Sequence, residues 1–135
     1  MRFMIIVKAT RDSEAGVMPS AEVFTEMADY HEKLLKAGVL VDASGLHPSE
    51  KGWRVTWKGG RKSVVDGPFA EAKELIAGYT IINVSSVEEA REWASGFPNP
   101  MLTDSEIEIR QMFELDDFEQ GEAIQRFRDM GVGGV

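Results

Sequence analysis

The sequence predicts an α+β domain in which two β-α-β units flank an inserted β-hairpin. Three observations carry that expectation. Arg2 to Lys8, Ala77 to Val84 and Glu106 to Phe113 alternate with the period of a strand, and the first two are apolar on both faces. Two segments with three- and four-residue apolar spacing open on serines, Ser20 and Ser86, which suit helix N-caps. Between the units, Trp53, Val55 and Trp57 alternate with Arg54, Thr56 and Lys58 ahead of a Gly59-Gly60 turn.

In the first strand, Phe3, Ile5 and Val7 point one way and Met4 and Ile6 the other, so both faces need cover. Thr10 to Met18 reads as a polar loop. The helix after Ser20 runs to about Ala37. Glu22 suits its positive end, Lys33 and Lys36 its negative end, and Gly38 its termination. Its inward stripe reads Phe24, Met27, Ala28, Leu34 and Leu35, and His31 falls on the same stripe. Val39 to Ala43 forms a short strand that leads into the turn Gly45-Leu46-His47-Pro48. The hairpin spans Trp53 to Asp66, and its Trp-bearing side is expected to pack on its own subunit or on a partner. Pro68 ends it, and Ala70 to Leu75 fits one helical turn. After the strand Ala77 to Val84, Ser86 and Glu89 have capping-box spacing. Val87, Ala90 and Ala94 line the inner face of that helix beside Trp93, and Gly96 and Pro98 stop it. The last strand places Ile107, Ile109 and Phe113 on one face and Glu108, Arg110 and Met112 on the other. Residues 1–114 therefore read as one domain. Residues 115–135 read as an acidic tail with a short helix around Glu122 to Arg128.

This order is that of the split βαβ, or ferredoxin-like, fold, with two helices on one face of four strands. The other face would be bare and apolar, a patch that a soluble monomer rarely exposes. A second copy pressing its own sheet against it is expected, which makes the protein a homodimer.

Fifteen Lys and Arg against 23 Asp and Glu give a net charge of −8. That balance repels phosphate backbones and anionic lipid, so neither nucleic acid nor membrane is an expected partner. The absence of cysteine excludes disulfides, thiol catalysis and cysteine–zinc sites. No apolar run approaches a membrane span and the N-terminus lacks a signal-peptide pattern, so the expected location is cytoplasmic. His31 and His47 lie on unlike elements and the carboxylates lack calcium-loop spacing, so no metal site is expected. No phosphate loop or dinucleotide fingerprint occurs, and no cofactor is expected.

The segment Val65-Asp66-Gly67-Pro68-Phe69-Ala70-Glu71-Ala72-Lys73-Glu74, followed by Gly78-Tyr79, is the sharpest motif. It resembles the Asp-Gly-Pro-Phe (DGPF) subgroup of the YCII-related domain family. The resemblance extends to Ala37-Gly38-Val39-Leu40, Gly45-Leu46-His47-Pro48-Ser49, Glu88-Glu89-Ala90 with Trp93, and Glu108-Ile109-Arg110. It implies a ferredoxin-like fold that pairs as a dimeric α/β barrel. It also implies kinship with uncharacterised bacterial proteins, some of which stand beside or are fused to extracytoplasmic-function sigma factors. One branch of the family is thought to use a His in the first helix and an Asp before a Pro. Met27 and Phe97 stand at those positions here, so that pair does not carry over.

Two classes of function follow. One is a small-molecule-binding dimer, with acid–base enzymatic chemistry in a pocket between the first helix and the sheet. The other is a non-catalytic accessory or regulatory module associated with such sigma factors. For the first class, His31 is the neutral-pH acid–base candidate and Asp66 the second catalytic candidate. Tyr79, Glu108 and Arg110 are the candidate pocket residues, with Lys73 and Glu74 as further charged neighbours. Each has a plainer reading. His31 can be a core histidine with one satisfied partner, and His47 an exposed loop residue. Asp66 can bond backbone amides ahead of it in a turn where Phe69 plugs the core. The charged residues can form ion pairs at a surface.

Overall fold

The computed structural model describes residues 1–134. Six strands and four α-helices follow in the order β1 (Arg2–Lys8), α1 (Arg11–Glu14), α2 (Ala21–Lys36), β2 (Leu40–Gly45), β3 (Trp53–Lys58), β4 (Arg61–Asp66), β5 (Ile76–Asn83), α3 (Val87–Ser95), β6 (Ile107–Gln111) and α4 (Glu122–Met130). One sheet has four strands in the order β2-β5-β1-β6, and all three pairings are antiparallel. The chain is α+β, and this order is compatible with a ferredoxin-like fold. β3 and β4 pair as a separate two-stranded sheet.

Register decides the two faces of the larger sheet. Phe3 stands opposite Ile82, and Ile5 lies between Thr80 and Ile109. These residues look toward the helices and form the core with Tyr30 and Leu34 of α2 and Ala90 of α3. Met4, Ile6, Tyr79, Ile81, Glu108 and Arg110 alternate with them and occupy the other, open face.

The inward line of α2 differs from the stripe the sequence suggests. Val23, Tyr30 and Leu34 are buried, whereas Phe24 and Leu35 are exposed. Positions 23, 27, 30 and 34 keep the four- and three-residue spacing one step round the helix, so Tyr30 rather than Phe24 anchors the core. Its hydroxyl donates to the Trp93 carbonyl at 2.7 Å, which joins α2 to α3. The Thr10 to Met18 segment, expected as loop, contains α1. Thr10 Oγ1 accepts from the Ser13 amide at 3.1 Å and Ser13 Oγ accepts from the Thr10 amide at 2.9 Å. Every residue of β3 and β4 is exposed, so the Trp-bearing side of the hairpin is not buried against the rest of the described chain.

The tail after β6 is tied back to β1. Arg2 is buried, and its guanidinium donates to Glu114 Oε1 at 2.9 Å and to the Phe113 carbonyl at 3.0 Å. β6 ends before Phe113, which leaves the core-facing row proposed for it and lies exposed against Phe118, ring centres 4.9 Å apart.

Candidate functional site

At one end of the domain the helix-side face of the sheet carries glycines where the other end carries large side chains. Gly78 stands between Val7 and Gly45 where Ile82, at the other end, fills the core between Phe3 and Leu40. A Cβ on Gly78 would meet the Ser44 carbonyl at 2.9 Å, so glycine also lets β2 lie close on β5. The space left above this bare floor is a cavity of about 710 Å³. α2 walls it with Phe24, Met27 and His31, and Met18, Leu46 and Met101 close it from the surrounding loops. Its position follows from local chemistry. Ser20 Oγ caps the Val23 amide at 3.2 Å and fixes where α2 begins, while the reciprocal Thr10–Ser13 bonds fold α1 over the rim.

His31 is half-buried at the inner wall. Its Nδ1 lies 2.7 Å from the Met27 carbonyl, which can only accept, so Nδ1 carries the proton. Nε2 lies 2.8 Å from Thr80 Oγ1 and accepts its hydroxyl hydrogen when the ring is neutral. Tyr30 and Phe97 contact the ring edge-on, with centres 5.6 and 6.2 Å away. Thr80 is itself buried, and His31 is its hydrogen-bonding partner across 49 residues of sequence. No carboxylate bonds either ring nitrogen among the described residues.

The other candidates lie elsewhere. Tyr79 borders the cavity only through its place between Gly78 and Thr80. Its side chain belongs to the open face, where the hydroxyl donates to Asp42 Oδ2 at 3.1 Å. Glu108 and Arg110 share that open face and pair at 3.2 Å, and Arg110 is largely exposed. The whole thickness of the sheet therefore separates Tyr79, Glu108 and Arg110 from His31. Asp66 is exposed at the end of the hairpin, opposite Trp53, and does not line the cavity. Lys73 and Glu74 sit exposed in a single turn between the hairpin and β5. His47 is exposed and does reach the cavity rim. Among the described residues no three His, Asp or Glu side chains gather as a metal-holding group. None of their helices is long and apolar enough to cross a membrane.

The YCII-related domain model matches residues 1–116, a span that includes both walls of the cavity and the whole four-stranded sheet. The chain belongs to the YCII-related family. An uncharacterised protein of Rhizobium meliloti (strain 1021) is 29% identical over 90 residues, which is 67% of this chain and 73% of that protein.

In this YCII-related chain the Asp-Gly-Pro-Phe turn acts through its backbone. The Gly67 amide donates to the Gly52 carbonyl at 2.9 Å. The Phe69 amide, within reach of the reading that Asp66 bonds amides ahead, is taken by Ser49 Oγ at 3.0 Å instead. Ser49 in turn gives its amide to Glu14 Oε2 at 2.9 Å and its hydroxyl to Glu14 Oε1. Two residues outside every candidate set, Ser49 and Glu14, thus pin the hairpin base to α1 and the cavity rim. Phe69 does not join the main core. It lies half-buried under the Arg54 guanidinium, 3.8 Å from its ring centre. The signal for this hub was the serine at the end of the Gly45–Ser49 stretch, whose spacing to Gly67 says nothing of contact until the hairpin is folded.

The His31–Thr80 pair makes a direct prediction for this cavity. His31→Leu should cost about 1–2 kcal/mol, because it leaves the buried Thr80 hydroxyl without its partner. Thr80→Val should cost a similar amount. The double variant should cost less than the sum, because both polar groups are then gone. Thermal melts of the four proteins test this, and strict additivity would show that the two side chains do not depend on each other.

Proposed function

We propose that this YCII-related chain is a homodimeric small-molecule-binding protein whose ligand is uncharged and largely apolar. The observation that carries the reading is the lining of the cavity. Its size lies within the range of ligand pockets. Three methionines and a phenylalanine supply an adaptable apolar wall. Its polar side chains are the His31–Thr80 pair inside and Thr10, Asp12, Ser13, His47 and Thr103 toward the rim. Neither Lys nor Arg occurs among the described lining residues, and Asp12 and the net charge of −8 both disfavour an anion. A ligand hydroxyl would find an acceptor in Thr80 Oγ1, whose own hydrogen is given to His31 Nε2. Both ring nitrogens of His31 are already occupied and no carboxylate supports them, so the geometry favours binding over proton transfer. The Asp66-Gly67-Pro68-Phe69 turn supports placement in the DGPF subgroup, and Met4 and Ile81, half-buried on the sheet face opposite the helices, support a dimeric barrel.

The test compares two fluorescent probes with one framework, neutral N-phenylnaphthylamine and its sulfonated analogue anilinonaphthalene sulfonate. The neutral probe is expected to bind at least about tenfold more tightly, a difference of roughly 1.4 kcal/mol. Met27→Trp, which fills the cavity, should abolish that binding, while Trp57→Ala on the hairpin should leave it intact. Failure of both probes to bind would overturn the small-molecule reading. Sedimentation should give about twice 15.0 kDa, and a persistent monomer would overturn the dimer.

A further inference from the structure

The direction of two hydrogen bonds decides what the inner wall of the cavity can accept. His31 and Thr80 are the polar side chains there, and both line the cavity. The Met27 carbonyl, 2.7 Å from Nδ1, can only accept, so it draws the single ring proton of a neutral His31 to Nδ1. Nε2 is thereby left as a lone pair. Thr80 Oγ1, 2.8 Å away, carries the one hydrogen of this pair that can satisfy it. The Thr80 hydroxyl is thus committed as a donor to the ring, and toward any third group it offers lone pairs alone.

The surroundings hold this arrangement in place. Tyr30 and Phe97 contact the ring edge-on, and the Tyr30 hydroxyl is turned away to the Trp93 carbonyl. Thr80 is only 2% exposed, so bulk water does not compete for its hydrogen, and a group that reaches it comes through the cavity.

We propose that the cavity selects hydrogen-bond donors: its ligand is an alcohol or a phenol whose hydroxyl hydrogen is accepted by Thr80 Oγ1, and His31 is the positioning residue that sets this direction. This inference rests on the small-molecule reading above and adds the class of ligand. A ketone or ether of the same shape brings lone pairs to lone pairs and loses its bonds to water without replacement. A site that hydrogen-bonds a hydroxyl rejects the analogue lacking it far more strongly than an apolar pocket rejects a change of size. His31 acts through Thr80. With a leucine at position 31 the Thr80 hydroxyl has no fixed acceptor and can turn either way. With a valine at position 80 a methyl stands where the hydroxyl stood, and it also covers Nε2.

The test uses tetralol and tetralone, which share one carbon skeleton and carry a hydroxyl or a carbonyl at the same carbon. Calorimetric titration gives both dissociation constants for each protein. The unaltered protein is expected to bind tetralol about tenfold more tightly. The two variants should erase that preference by opposite routes. In His31→Leu, tetralone should gain about tenfold while tetralol keeps its affinity. In Thr80→Val, tetralol should lose about tenfold while tetralone keeps its affinity. A general loosening of the fold would move both ligands together and leave their ratio unchanged. Equal binding by the unaltered protein, tighter binding of tetralone, or a preference that survives in either variant overturns the donor selectivity and leaves the small-molecule reading standing. So does binding of the neutral naphthylamine probe without binding of tetralol. A protein that binds none of the three compounds overturns both.

Discussion

Raising the pH from 10 to 12 should remove about 2 kcal/mol of stability through Tyr30 alone, with a limiting slope of about 1.4 kcal/mol per pH unit between the two pKa values. Burial pushes the Tyr30 phenol from 10.0 up to about 12. Its hydroxyl is the donor that joins α2 to the Trp93 carbonyl, and an oxyanion in the core would lose both that bond and its hydration. Below pH 10 folded and unfolded chains both hold the proton, so this contribution is full and flat. Between pH 10 and 12 the unfolded chain releases its proton first, and folding weakens; above that range the contribution is spent. Denaturant titrations across the range should show the slope. Tyr30→Phe should flatten it while costing only about 1 kcal/mol at neutral pH, because the Gly96 amide still occupies the Trp93 carbonyl. An unchanged slope in Tyr30→Phe would assign alkaline unfolding to other groups.

Gly67→Ala should cost about 3 kcal/mol, at the upper end of ordinary point substitutions. A Cβ there would collide with the Ser49 carbonyl and crowd the Gly52 carbonyl, both of them backbone atoms that cannot rotate away. Ser49 is also the residue that holds Phe69 and Glu14, so the displacement would spread from the turn to α1. Melting and amide exchange read the two consequences separately. The Gly67 and Phe69 amides should lose protection, and affinity for the neutral probe should fall as the rim loosens. Asp66→Ala, at an exposed position one residue earlier, should change stability by less than about 0.5 kcal/mol. Equal effects from the two substitutions would mean that the close approach at Gly67 contributes nothing.

Much of the architecture was legible because it rests on period and punctuation. β1, α2, the hairpin and α3 each combine regular spacing with a cap or a glycine turn, and their bounds fall within a few residues of those expected. α1 was not legible, because four residues are too few to show a period. Its signal was the Thr10–Ser13 reciprocal cap, with Ser where a capping box usually has Glu. The site was legible only in part. His31 does line the cavity, and the plain reading of it as a histidine with satisfied partners matches its two hydrogen bonds. Tyr79, Glu108 and Arg110 were grouped with it because alternation shows which residues share a face, not which face the helices cover. That choice depends on Phe3, Ile5, Ile82 and Ile109 closing on Tyr30 and Leu34, a contact among four separate elements. The cavity itself is written in residues that carry little signal, Gly45 and Gly78, whose missing side chains leave its floor bare.

β1 occupies the centre of the sheet, and its two neighbours are β5 and β6. On a ribosome this order has a cost in time. Val7 finds its partners only when Gly78 and Ile107 have been made, the second of them 100 residues later. At about 5–20 residues per second that interval is roughly 5 to 20 seconds, during which a strand apolar on both faces waits without a ladder. The Arg2 bond to Glu114 closes later still. The sheet therefore closes only after β6 has been made, and the yield of this protein in cells should respond to the supply of chaperones that shield nascent chains.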